Sequence, residues 1–208
     1  MKGIQIRVLV GLAFVVWAII LLAQGHAVPI DYLKPVPYVI STVSIFLLLW
    51  ERWLWSWWCF RPWLTTRPDL RGTWKGRLIS SWLDPTTQQS RGEIEVYLVI
   101  RQTYSTVDAR LHTVESGSIS LSANIVEDVP GLHTLAVIYR NMPRALLRER
   151  SPMGHGGMLL YVRGNPIHQL DGEYWTDRKT KGELTLTARS REVFHDFDRA
   201  RQGRYQSE

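Results

Sequence analysis

The sequence has a single cysteine, Cys59. That excludes an intrachain disulfide framework and any site built on a cysteine cluster, and it fits a reducing compartment. Metal chemistry finds no spacing to use either: the six histidines, His26, His112, His133, His155, His168 and His195, form neither HExxH nor His-x-His. No GxxxxGKS, no GxGxxG after a strand pattern and no GxSxG elbow occurs, so the common phosphate-cradling and nucleophile-elbow chemistries lack their loops. The run MGHGG at Met153 to Gly157 is shaped like an oxyanion loop but has no serine elbow to serve, and it reads as a flexible turn entering a strand. Carboxylate pairs such as Glu93 with Glu95 and Glu127 with Asp128 fall on strand faces or turns and read as solvating charges. No catalytic residue, metal ligand or cofactor is nominated, and no enzymatic activity is expected.

A coat for DNA or RNA is excluded by where the charge lies. The net charge is +6, but residues 1–71 hold 7 Lys/Arg against 3 Asp/Glu, whereas residues 72–208 hold 18 against 16. The excess basicity belongs to the N-terminal third, beside two apolar runs, and leaves the larger part nearly neutral.

Those runs predict two membrane spans, at about 4–23 and 36–55, the first apolar without interruption from Val8 to Ala23. Each approaches the roughly twenty residues that a bilayer core requires. A signal peptide, suggested by Lys2, Arg7 and a small-x-small site at Gly25 to Ala27, is disfavoured by the length of the run and by the second run that follows at once. Six of the ten tryptophans crowd between Trp50 and Trp63 among Arg52 and Arg61, as in an interfacial aromatic belt. The loop Gln24 to Pro35 has one Asp and one Lys, while Arg52, Arg61, Arg67, Arg71 and Lys75 follow the second run. By the positive-inside rule both termini are expected in the cytoplasm, with the protein a multi-pass membrane resident. Neither run has an ionisable residue near its middle, which gives a transporter or proton channel no support.

After a linker at 64–71 the periodicity changes to two. Strands are predicted at about 72–83, 92–104, 106–114, 117–127, 131–142, 157–164, 168–177 and 181–189, divided by DPTT, ESGS, EDVPG and RGNP turns. Trp74, Gly76, Leu78, Ser80 and Trp82 share a face, as do Ile94, Val96, Leu98 and Ile100, and as do Ile119, Leu121, Ala123 and Ile125. The fold class is therefore all-β: an antiparallel meander barrel of about eight strands over residues 72–195, preceded by the two-helix transmembrane hairpin of residues 1–63 and followed by a polar tail, 196–208. Pro143 to Gly156 is the longest break and suits a short helix or a lid. Trp74, Trp82 and Trp175 are candidate lumen fillers.

One hairpin stands out. LDGEYWTDRKTKGELTLT, Leu170 to Thr187, puts Leu170, Gly172, Tyr174 and Thr176 on one face and dresses its turn with Arg178, Lys179, Thr180 and Lys181. Aromatic faces, a guanidinium fork, hydroxyls and ammonium groups are the set that holds a nucleobase and a phosphate. With LRGTWKGRL at Leu70 to Leu78 and QTYSTVDARLHTVESGSIS at Gln102 to Ser120, the chain resembles the two-transmembrane, β-strand-rich effectors of bacterial cyclic-oligonucleotide-based anti-phage signalling, CBASS. The resemblance implies a cytoplasmic barrel that binds a cyclic dinucleotide made by a partner CD-NTase. It implies also that the bound effector assembles into a homo-oligomer and disrupts the lipid of the inner membrane, killing the infected cell.

The residues that transfer from that family are Tyr104 and Arg178. Tyr104 and Tyr174 are suited to stack on bases, Arg178 to fork onto a phosphate, and Thr106 and Thr180 to hydrogen-bond; Arg110, in the same stretch as Tyr104, is counted with them. An up-and-down barrel puts its 2–3 and 7–8 turns on opposite ends. Tyr104 and Arg178 thus lie on opposite rims, or the strand count is off by one, or Arg178 acts from within a strand. A membrane-tethered barrel carrying a lipid or other apolar ligand is the competing expectation, and it requires an open lumen rather than a packed one.

Overall fold

A computed structural model describes residues 3–24, 36–57, 59–60, 64–84 and 87–206. It divides into two compact units at Arg67/Pro68. In the first, α1 (Gly3–Gln24) and α2 (Val36–Arg52) are helical over 22 and 17 residues. Among the described residues no helix is long and apolar enough to cross a membrane; the side chains described on α1 begin only at Val10. Ser41 and Thr42, two of the three polar interruptions of α2 beside Ser44, donate to the carbonyls of Pro37 and Tyr38 four residues back, so their hydroxyls cost little in an apolar setting. The helix stops at Arg52, short of the expected Trp55, which is fully buried in a one-turn 3-10 segment, Leu54–Ser56. Trp50 packs edge-on against Phe60 at 5.4 Å. Of the belt, Trp53 and Trp57 are exposed, whereas Trp58, Arg61 and Trp63 lie outside the described residues, as does the loop 25–35.

The second unit is a closed antiparallel barrel of eight strands in sequence order: β1 (Gly72–Ser80), β2 (Glu93–Gln102), β3 (Val107–His112), β4 (Ser116–Val129), β5 (Leu132–Pro143), β6 (Gly154–Arg163), β7 (Gln169–Thr176) and β8 (Lys181–Ser190). β1 pairs with both β2 and β8, so no edge remains. The expected alternation of β1 and β2 is met: Trp74 and Leu78, with Val96, Leu98 and Ile100, are buried in the interior cluster, joined there by Leu135, Met158, Leu160, Leu170, Leu184 and Leu186.

Two sequence expectations are corrected by the tertiary structure, and a third segment gains definition. β4 does not keep Ile119, Leu121, Ala123 and Ile125 on one face, because a bulge between Ser120 and Ser122 leaves Leu121 without a partner and 57% exposed. One extra residue exchanges the two faces of a strand. Ser118, opposite Asn141, therefore points inward before the bulge, while Ala123 and Ile125, opposite Val137 and Leu135, do so after it. Trp175 is no lumen filler either: it lies on the outer wall over Gly157, where a Cβ would come within 2.5 Å of its ring. The polar tail, finally, is partly structured. Asp196 caps a short helix, α3 (Phe197–Gln202), by accepting from the Arg199 amide at 2.8 Å, and Phe197 packs edge-on against the buried Tyr97 at 5.3 Å. This cover explains why Tyr97, on the outer face of β2, is as buried as the inward residues beside it.

The linker also contributes to the barrel. Leu70 is fully buried in the core, its amide donates to Gln102 Oε1 and the Gln102 amide returns a bond to the Pro68 carbonyl, both at 2.9 Å. Beside it the Trp74 indole donates to the Leu70 carbonyl at 3.0 Å. Leu70 and Trp74 plug the barrel at the end of the β2–β3 turn.

Candidate functional site

The other end, where β1–β2, β3–β4, β5–β6 and β7–β8 connect, opens into a cavity of about 870 Å³. That volume is in the range of small-molecule sites. Its floor is apolar, from Leu78, Ile94, Leu111 and Met158, and its wall carries Tyr139, Tyr174, Ser80, Ser118, Asn141, Thr176 and Thr180. The polar residues sit there because the inward register of each strand simply continues past the core toward solvent: Ser80 follows Leu78, Asn141 follows Tyr139, and Tyr174 and Thr176 follow Leu170.

The wall is pre-positioned. The Tyr174 hydroxyl donates to Ser80 at 2.8 Å, Ser118 donates to Asn141 Oδ1 at 3.1 Å, and the Thr176 and Thr180 hydroxyls share a 2.6 Å bond. Tyr139 donates to the Trp175 carbonyl at 3.3 Å across Gly156, where a Cβ would stand 2.3 Å from that carbonyl and 2.6 Å from the Tyr139 hydroxyl. Burial raises the phenols of Tyr139 and Tyr174 above their ordinary value, so both are neutral donors with apolar faces.

The rim carries four arginines and three carboxylates, and the pairing is uneven. Arg91 and Arg150 both bond Glu115, Arg201 lies 3.8 Å from Glu95, and Glu93 is taken by Arg77. Burial would raise the Glu115 carboxyl, but the Arg91 hydrogen bond and the charges of Arg91 and Arg150 outweigh it and hold the group below its usual range. Arg178 differs: it donates to the neutral Ser151 hydroxyl at 2.7 Å and has no carboxylate partner among the described residues. The turn that presents it is closed by the Lys179 amide donating to Thr176 at 3.1 Å with Lys179 at φ 61°, and by Asp177 turning back to accept from the His155 amide at 2.8 Å. Ser151 belongs to the segment joining β5 to β6, which arches over the cavity with Leu147 and Pro152 facing it. That segment contains a single 3-10 turn, Ala145–Leu147.

Of the six residues nominated from sequence, the cavity brings together Tyr174, Arg178 and Thr180. Tyr104 and Thr106 lie in the β2–β3 turn at the plugged end, where Thr106 bonds Thr103 at 2.8 Å, and Arg110 stands exposed on the outer face of β3. The eight-strand count resolves the question of rims: turns 2–3 and 7–8 are on opposite ends. Sequence inspection missed Tyr139, Asn141, Ser118, Arg91, Glu115 and Arg150. Tyr139 and Asn141 carried a signal, being polar residues in the inward register at a strand's end, but the bulge hid Ser118, and the arginines come from irregular segments with no periodicity.

Residues 65–188 match the family model described as Cap15, cyclic dinucleotide receptor domain. The chain is also 28% identical over 157 residues to CD-NTase-associated protein 15 of Staphylococcus schleiferi, an alignment spanning 76% of this chain and 80% of that protein. Both similarities agree with the CBASS resemblance drawn from the hairpin and strand sequences, and the family match starts after the two helices.

Proposed function

The chain belongs to the Cap15 cyclic dinucleotide receptor family, and we propose that it is a CBASS effector whose barrel binds a cyclic dinucleotide, the product of a partner CD-NTase, in the cavity at its open end. The observation that carries this is Arg178, a guanidinium at the cavity rim that donates to the neutral Ser151 hydroxyl. A phosphodiester is the partner its fork suits, by charge-assisted bonds that a hydroxyl does not match. Tyr174 and Tyr139 supply the aromatic faces on which bases stack, and Thr176, Thr180 and Asn141 supply neutral hydrogen bonds. Tyr104, Thr106 and Arg110 are then not ligand contacts. An apolar cargo is served less well: the interior is filled from Leu70 and Trp74 upward, and the open end is ringed with polar groups.

The proposal extends to the membrane. α1 is 22 helical residues, about 33 Å at the ordinary rise, and Phe14, Ile19 and Leu22 on it and Leu48 on α2 are exposed apolar side chains. With Arg52 closing α2 and tryptophans after it, the two helices suit an inner-membrane hairpin with a cytoplasmic barrel. Ligand binding would drive assembly into a homo-oligomer whose helices disrupt the bilayer, ending the infected cell. Calorimetry on the full chain in detergent against cyclic di-AMP, cyclic di-GMP and cyclic UMP–AMP tests the receptor reading: saturable binding of at least one, lost on Arg178→Ala, is expected. Absence of binding by all three, or full affinity in the Arg178→Ala protein, overturns it.

A further inference from the structure

The outer wall of the barrel carries two charged strips that no ion pair among the described residues neutralises. On one, Arg110 of β3 and Arg140 of β5 flank Ile119 of β4 in a single cross-strand row. Both arginines are exposed, and among the described residues neither meets a carboxylate, although Arg71, Arg77, Arg91, Arg150 and Arg163 each do. Asp108, the nearest acid along β3, faces Arg101 across the ladder instead. Two large apolar side chains are exposed on this wall: Leu121, thrown outward by the bulge, at 57%, and Ile138 at 59%.

On the second strip, Glu173 of β7 stands directly opposite Glu183 of β8, and Ile79 of β1, 46% exposed, continues the row. Both glutamates are exposed and, among the described residues, neither pairs with a cation; Lys181, two residues from Glu183, is opposite Trp175. Like charges facing each other across a ladder destabilise a sheet, so this arrangement works against the barrel's own stability. Closure in the order β1 to β8 separates β4 from β8 by four strands in either direction, which sets the basic and acidic strips on opposite walls. None of these residues lines the cavity.

We infer that the two strips are the faces by which copies of this chain pack side by side, the Arg110–Arg140 wall of one against the Glu173–Glu183 wall of the next. The charges are complementary, each strip brings exposed apolar side chains to be covered, and the cavity at the barrel end stays open to ligand. Because the faces are unlike and lie on opposite walls, the contact is head-to-tail and repeats into a ring or a row rather than closing as a twofold dimer. This rests on the ligand-driven assembly proposed above and names its surface.

Charge reversal on the full-length protein tests it. Arg110→Glu with Arg140→Glu makes both walls acidic; Glu173→Arg with Glu183→Arg makes both basic. In detergent, with saturating amounts of whichever of the three cyclic dinucleotides the wild type binds tightest, each variant alone is expected to bind ligand saturably and to lose the assembled boundary in sedimentation velocity. An equimolar mixture, in which every junction is again complementary, is expected to recover it. Assembly of either variant alone at the wild-type level overturns the inference, as does a mixture that stays unassembled while both proteins bind ligand. A wild type that binds ligand and never assembles removes the assembly reading itself, and this surface with it.

Discussion

Arg178 and Gly156 show how much of the open end depends on single side chains. A planar fork onto a phosphate cannot be replaced by a point charge, so Arg178→Lys is expected to lose nearly as much affinity as Arg178→Ala, with both proteins melting within a degree or two of wild type because the arginine is exposed. Calorimetry and a thermal melt on the same samples separate the two effects. Gly156→Ala is the reverse case: its Cβ would meet backbone at 2.3 Å. Overpacking of that kind costs roughly 1–3 kcal/mol, and the displaced Tyr139 should weaken ligand binding as well. Asp69, at the plugged end, carries a pH prediction. Burial alone would raise its carboxyl, but hydrogen bonds from Arg71 and the charges of Arg71 and Arg189 leave it below the ordinary 3.8. Its contribution is therefore complete above that value and is lost as pH falls through the lower folded-state pKa. The difference in melting temperature between wild type and Asp69→Asn should be constant near neutrality and shrink below about pH 3.8; a difference that persists unchanged at lower pH would remove the ion pairs as its cause.

At the scale of the element, α3 is the feature most open to measurement. Helices of six residues have no stability of their own. This one exists because Phe197 and Ala200 have the buried Tyr97 to pack on and because Tyr205 closes back onto the Ala200 carbonyl at 2.7 Å. Removing residues 196–208 uncovers Tyr97 and forfeits the burial of Phe197. A buried phenylalanine contributes about 1.5–3 kcal/mol, and each kcal/mol corresponds to roughly 2–4 °C in a chain of this size. A clear fall in melting temperature is expected on truncation, and an unchanged melt would mean that α3 rests on the barrel without stabilising it. The β4 bulge has the opposite character. Deleting Leu121 would remove the bulge and restore strict alternation with the pairs on both sides unchanged, Ser118 still opposite Asn141, so the cavity wall and ligand binding should persist in the shortened strand.

In the whole molecule a barrel with a candidate ligand cavity and two helices of proposed membrane function share one chain. If α1 and α2 only tether the barrel, exchanging residues 4–55 for an unrelated two-span hairpin should leave toxicity intact when the protein is produced together with a cyclic dinucleotide synthase. The effector proposal expects that toxicity is lost while ligand binding persists. Lipid provides no hydrophobic drive between helices, so the assembly proposed above is expected to draw much of its drive from outside the bilayer. The charged walls of the barrel are where we place it.

Eight strands, their order and most of their inward residues were legible in the sequence, because period-two alternation and turn chemistry are local properties that solvent imposes on any half-buried strand. Arg178, Tyr174 and Thr180 could be chosen for the same reason, being crowded into one hairpin. What only the tertiary structure decided were the matters that depend on closure. The barrel sends Tyr104 and Arg178 to opposite ends, and one unpaired residue in β4 reverses which side chains face inward. Leu70 and α3 acquire structure only against surfaces built by distant strands, and Arg91, Glu115 and Arg150 meet at the rim from three separate connections. A local pattern states which face of a strand avoids water; it does not state which strands become neighbours, and the candidate site is made where neighbours meet.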